Sequence, residues 1–174
     1  MKRIEVRITG LGGQGVVLAG QILGKAAGYD GKNAVQTQSY GAEARGSSAK
    51  SEVIISDDKI GFPMVRKCDV LVALSQEAVD NNIKDLKQDG MLLVDSSIVK
   101  VLPETKARIF KVPASQIAET VFEDKLYANM VILGALTKFT GVISEESMKG
   151  AIADSVPRKA VARNLQAYDK GLRS

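Results

Sequence analysis

Ile4-Glu5-Val6-Arg7-Ile8-Thr9-Gly10-Leu11-Gly12-Gly13-Gln14-Gly15-Val16-Val17 is the stretch that decides the fold. Ile4, Val6 and Ile8 alternate with charged neighbours, the period-two pattern of a half-buried strand. A glycine cluster follows at once. Beyond it Val16, Val17, Ala19, Gly20, Leu23, Gly24 and Ala27 recur at helical spacing. Gly28 to Lys32 closes that helix, and Ala34-Val35-Gln36-Thr37 reads as a second strand. Strand, tight turn, helix and strand in so short a run predict one βαβ unit.

The rest of the chain extends this pattern. Gln38 to Lys50 is a polar loop of small residues, and Ser51 to Ser56 is strand-like around Val53, Ile54 and Ile55. Asp69-Val70-Leu71-Val72-Ala73-Leu74 is almost continuously apolar, as strands buried on both faces are. Ser75 is placed to cap a helix reaching about Leu86, with Glu77 in its first turn. Met91-Leu92-Leu93-Val94 and Arg108 to Val112 are further strands, the latter stopped by Pro113. Helical spacing then dominates: Ala114 to Phe122, Tyr127 to Phe139, Ser144 to about Ser155, and Arg158 to about Leu172. Glu145 and Glu146 sit where the positive end of a helix dipole favours acids. The expected fold is α/β: a single three-layer Rossmann-like domain over residues 1–174, with a mostly parallel sheet and a helical C-terminal third.

Composition narrows the chemistry. With 174 residues, 45% of them hydrophobic, the chain can bury one sizeable core. The net charge of +4 is spread among acids and aromatics are only 5%, so no nucleic-acid surface is expected. Met1-Lys2-Arg3 leads straight into a strand rather than an apolar leader. No apolar run nears the roughly 20 residues of a membrane span. The expected location is the cytoplasm, with no membrane partner. There is no histidine, no tryptophan and one cysteine, Cys68, which reads as a small apolar side chain. Ser-His-Asp and Cys-His catalysis are therefore excluded, and the chain alone lacks the ligands for a zinc site or an iron–sulfur cluster. The chemistry must come from a cofactor or from another chain.

Gly10, Gly12 and Gly15 fit the dinucleotide fingerprint, and a glycine turn opening a helix suits phosphate. The acid that should end the second strand is missing: Gln36-Thr37-Gln38-Ser39 stands there, and Asp30 falls in the preceding turn. The residues leave open a phosphate site, a free-standing dinucleotide-binding reductase, and a scaffold whose glycines only permit a tight turn against a neighbour.

Gly10-Leu11-Gly12-Gly13-Gln14-Gly15 taken together with Gln36-Thr37-Gln38-Ser39-Tyr40-Gly41-Ala42-Glu43-Ala44-Arg45-Gly46 is far more specific than either half. The pair resembles the gamma subunit, or fused gamma domain, of the 2-oxoacid:ferredoxin oxidoreductases. Gln-Thr-Gln-Ser-Tyr-Gly and Ser51-Glu52-Val53 look most like the 2-oxoglutarate branch. The resemblance continues through Asn129 to Gly134 and Lys159 to Asn164, and departs at Ser47-Ser48, where relatives often carry glycine. It implies oxidative decarboxylation of a 2-oxoacid to acyl-coenzyme A, with reduction of ferredoxin. Thiamine diphosphate, Mg, iron–sulfur clusters and coenzyme A would be held mainly by partner alpha, beta and ferredoxin-like delta subunits. This chain would shape the coenzyme A side of the site and would not be catalytic alone. An indolepyruvate- or branched-chain-type small subunit is the alternative within the family.

The candidate cofactor-binding residues are Gly10, Gly12, Gly13, Gln14, Gly15, Tyr40, Glu43, Arg45 and Asn129, with no catalytic or metal-ligating residue among them. Gln14 either reaches outward or caps the turn. Arg45 binds a phosphate or the distal carboxylate of 2-oxoglutarate, or pairs with Glu43. Tyr40 is an interface residue by type. Asn129 either satisfies backbone at a helix start or touches ligand. Ser96 and Ser97 lie at a strand's carboxyl end, as ligand residues or turn residues. The isolated chain is expected to dimerise, since a surface built for partners stays apolar without them.

Overall fold

The computed structural model describes residues 3–41 and 48–174. In chain order the elements are β1 (Arg3–Leu11), α1 (Val16–Tyr29), β2 (Asn33–Tyr40), β3 (Ser48–Ser56), β4 (Cys68–Ala73), α2 (Gln76–Asn82), β5 (Leu86–Asp95), β6 (Arg108–Val112), α3 (Ala114–Phe122), α4 (Ala128–Thr140), α5 (Glu145–Ser155) and α6 (Val161–Leu172). The strands form one sheet in the order β2-β3-β1-β4-β5-β6. β1, β4, β5 and β6 pair in parallel, while β3 runs antiparallel to both of its neighbours. Five strands therefore point one way and β3 the other.

The βαβ expectation needs a correction. β2 is parallel to β1 but does not touch it, because β3 lies between them. Burial gives the reason. Val53, Ile54 and Ile55 are all 2% exposed or less, so β3 is apolar on both faces and needs a strand on each side. β2 ends in Thr37-Gln38-Ser39-Tyr40, all exposed, and takes the edge. α2 is also shorter than the sequence suggests. A 3₁₀ turn over Ile83–Asp85 passes the chain directly into β5, where Leu86 pairs with Cys68.

The two faces of the sheet are covered unequally. α1, α3, α4, α5 and α6 build the larger core on one face, around Ile22, Leu23, Met130 and Leu133. Among the described residues the other face holds only α2 and loop residues such as Val65, Val99 and Ala107, packed on Leu71 and Leu92. α4 and α6 cross at two glycines. A Cβ on Gly134 would strike the carbonyl of Tyr168, and one on Gly171 that of Val131. The fully buried Tyr168 lies at this crossing and donates its hydroxyl to Thr137 Oγ1 at 3.0 Å.

At the carboxyl ends of the strands, the chain leaves β1 through α1 on one face and β4 through α2 on the other. This divergence between adjacent parallel strands is the switch point at which open α/β sheets bind ligands.

Candidate functional site

The glycine turn sits at this switch point, and its shape follows from packing. Gly13 and Gly15 have φ of 90° and 75°, the left-handed region that favours glycine. A Cβ on Gly10 would come within 2.5 Å of Gln14 Oε1. A Cβ on Gly15 would strike the carboxamide of Asn129. Three of the four turn glycines are thus explained by the fold alone.

Gln14 does not reach outward. Its Oε1 accepts the Leu11 amide at 2.6 Å and its Nε2 donates to the Leu74 carbonyl at 3.0 Å. The side chain bridges the ends of β1 and β4 and closes the crevice between them. Asn129, 4% exposed at the start of α4, donates to the Gly15 carbonyl at 3.3 Å. Among the described residues no side chain caps the amino end of α1. On the α1 side, a shallow groove of about 320 Å³ brings Gly12, Gly13 and Gly15 together with Val17, Leu18 and Tyr40. Tyr40 is 62% exposed. Of the candidate residues, Gly10, Gly12, Gly13, Gln14, Gly15, Tyr40 and Asn129 therefore lie together. Glu43 and Arg45 lie outside the described residues.

Two further recesses flank the turn. A slot of about 210 Å³ runs between Gln14, Leu74, Ile98 and Leu126 down to Asp95. Asp95 is 1% exposed, and its carboxylate accepts the Ser115 hydroxyl at 2.5 Å, the Ser115 amide at 3.2 Å and the Ser97 amide at 3.1 Å. This carboxylate ties β5 to the start of α3, and the Ser97 hydroxyl accepts the Gln116 amide in the same junction.

The second recess, about 290 Å³, opens on the α2 face among Thr9, Lys50, Ser75, Glu77, Asn81 and Lys84. Arg7 lies next to it. The alternation in β1 suggests that Arg7 faces solvent, yet it is 3% exposed. Its guanidinium meets Glu52 at 3.0 Å and Asp85 at 2.7 Å, and donates to Asn82 at 3.3 Å. Burial works against the charge, but the Asp85 hydrogen bond and Glu52 outweigh it and hold the guanidinium above its ordinary value. The only sequence sign of this network was the run of acids and amides at Asn82 and Asp85, which resembles an ordinary helix end.

Among the described residues no group of three or more His, Cys, Asp or Glu is placed to hold a metal ion. Cys68 is fully buried, and burial pushes its thiol up to about 11. Backbone amides, hydroxyls and apolar walls are suited to binding and positioning, not to proton transfer.

The model of the pyruvate ferredoxin/flavodoxin oxidoreductase family matches residues 5–174. The chain belongs to this family. It is 51% identical to a 2-oxoglutarate synthase subunit, KorC, of Methanocaldococcus jannaschii over 97% of this chain and 92% of that protein. It superposes on the crystal structure of a keto/oxoacid ferredoxin oxidoreductase gamma subunit from Geobacter sulfurreducens with a TM-score of 0.88. That chain is 44% identical, and the match covers 98% of this chain and 96% of the other. A 2-oxoglutarate:ferredoxin oxidoreductase from Magnetococcus marinus, solved with 2-oxoglutarate, coenzyme A and succinyl-CoA bound, gives a TM-score of 0.90 at 27% identity. There the match covers 99% of this chain but 31% of the longer one. The same fold thus occurs as a separate subunit and as one part of a larger polypeptide. Among the described residues no helix of this family member is long and apolar enough to cross a membrane.

Proposed function

We propose that this chain is the gamma subunit of a cytoplasmic 2-oxoglutarate:ferredoxin oxidoreductase, and that residues 1–174 act in it as one unit. The observation that carries the reading is the 51% identity, across nearly the full length of both chains, to a 2-oxoglutarate synthase subunit. The partners are the alpha, beta and ferredoxin-like delta subunits, which hold thiamine diphosphate, Mg and the iron–sulfur clusters. The complex passes its electrons to ferredoxin. The donor set of this chain does not fit a cluster, since its one cysteine is buried and it has no histidine.

The groove beside the glycine turn fits part of coenzyme A better. Uncapped amides at the start of α1 suit a phosphate, and the exposed Tyr40 ring offers a flat apolar face. In this reading Gly12, Gly13 and Gly15 admit the ligand to the backbone. Gln14 and Asn129 hold the turn in shape, and Glu43 and Arg45 are the charged residues of the sequence proposed to contact the ligand. When bound, coenzyme A supplies the thiol that accepts the acyl group; this chain binds and orients it.

Anaerobic assembly of the four subunits tests the proposal. Coenzyme A-dependent oxidation of 2-oxoglutarate should appear only when this chain is present. Tyr40→Ala should raise KM for coenzyme A several-fold while leaving KM for 2-oxoglutarate in place. Full activity without the chain, or preference for another 2-oxoacid, overturns it.

A further inference from the structure

The two edges of the sheet are protected differently. β6 carries Arg108 and Lys111 in a five-residue strand, the short charged edge that discourages pairing. β2 is eight residues long, Asn-Ala-Val-Gln-Thr-Gln-Ser-Tyr, with no charge and no proline, in a chain that is 25% charged. It pairs with β3 on one side, and among the described residues no strand lies on its other side. Such an edge is open to strand addition.

We propose that β2 pairs antiparallel with β2 of a second copy of this chain, joining two sheets about a twofold axis perpendicular to them. Symmetry restricts the register. A perpendicular twofold keeps each side chain on its own face, so the pairing must centre on a residue and not between two residues. Ala34, Gln36, Gln38 and Tyr40 share the α1 face. Gln36 donates to Ser51 Oγ at 2.9 Å beneath Gly20, and Tyr40 shares a groove with Val17. Val35, Thr37 and Ser39 face the opposite way.

Centring on Thr37 sets Thr37 against its own copy, Gln36 against Gln38, Val35 against Ser39, and Ala34 against Tyr40. Threonine–threonine and amide–amide neighbours are favourable across strands, and no like charges meet. This register also sets the half-buried Ala34 of the second copy against the outer side of the Tyr40 ring, which is otherwise 62% exposed, and leaves the side lining the glycine groove open. Centring on Gln36 would instead set that ring against Lys32, outside the strand.

The helical layer is compatible with this pairing. α1 packs on both β2 and β3, so the two copies of α1 would lie about 10 Å apart, the usual distance for packed helices. Self-complementarity is what favours a second copy over a strand of another subunit. The proposal does not depend on the 2-oxoacid used or on the coenzyme A reading.

The test uses the full chain, free and in the assembled enzyme. Analytical ultracentrifugation of the wild type should give twice the 18.6 kDa chain mass. Thr37→Lys with Ser39→Lys should give the single mass with an unchanged circular dichroism spectrum. Thr37 faces its own copy at the twofold, at a Cα separation within disulfide reach. Mild oxidation of Thr37→Cys should therefore link two copies of this chain, while Val101→Cys, 70% exposed elsewhere, should not. If the lysine variant fails to fold, the cysteine pair decides. A monomer at every concentration, no linkage by Thr37→Cys, or its linkage to a different subunit in the enzyme overturns the proposal.

Discussion

Gly15 meets two constraints at once, a left-handed φ of 75° and the carboxamide of Asn129 against its Cα. Gly15→Ala should cost about 1–2 kcal/mol for the backbone conformation alone, with the collision added. Asn129→Ala removes the collision and loses one hydrogen bond, about 1 kcal/mol. The double variant should be less destabilised in urea than the two single losses added together. Strict additivity would mean that the turn moves away from Asn129 instead of pressing on it. Cys68 gives a pH signature. Its folded thiol keeps its proton to about 11 because it is buried, whereas an unfolded thiol loses it near about 8.5. Stability should be unaffected below the unfolded value and fall as pH rises from there towards 11, by up to about 3 kcal/mol. Cys68→Ala should flatten that fall between pH 8 and 10, read from urea midpoints. Tyr168, raised by burial to about 12, contributes only above the ordinary tyrosine range. What the sequence revealed at this scale was residue type, not direction. The glycines and Asn129 were legible as a turn and its support, but whether Gln14 turned in or out depended on Leu74, sixty residues away. Arg7 shows the same limit, since period two tells which face a residue takes and not what covers that face.

Pairing between elements rests on contacts that no local pattern encodes. Asp30 looked like a helix breaker, and it does end α1, but its carboxylate also anchors α5. It accepts the Ser144 amide at 2.7 Å, the Ser144 hydroxyl at 2.6 Å and the Ser147 hydroxyl at 2.5 Å. Ser144 in turn caps α5 by accepting the Ser147 amide at 3.1 Å. Burial pushes the Asp30 carboxyl up, but the hydrogen bonds from Ser144 and Ser147 outweigh it and leave it below its usual value. A depressed carboxyl stabilises the fold above its unfolded pKa of about 3.9, and that contribution is lost as pH falls through the folded value. Asp30→Asn should therefore lower stability at pH 7 by about 1–2 kcal/mol, and the gap to wild type should shrink below pH 3. Thermal unfolding at both pH values checks this; an equal gap at the two would assign the loss to shape and not to charge. Strands and helices were legible one by one because periodicity is local. The position of β3 between β1 and β2 was not, because the strand order depends on which strand needs cover on both faces.

Strand order bears on the whole molecule's function through the nucleotide question left open by the glycine turn. A dinucleotide fold needs an open crevice at the end of its first strand and an acid at the end of a second strand lying directly beside it. In this chain the crevice between β1 and β4 is bridged by Gln14, and Gly10 is small because Gln14 fills the space. β2 lies one strand further out than that geometry requires, and it ends in Ser39 and Tyr40 where the ribose acid would stand. The two departures are independent, and each removes contacts a dinucleotide needs. The isolated chain should therefore show no saturable binding of NADH or NADPH tighter than about 1 mM, a binding energy of only about 4 kcal/mol. Fluorescence titration of the reduced nucleotides is a direct check. A micromolar Kd would require the Gln14 carboxamide to swing out of the crevice, which Gln14→Ala would then expose as tighter binding. Without that, the glycine turn is a packing device, and its outer groove beside Tyr40 is where we propose that its amides meet coenzyme A.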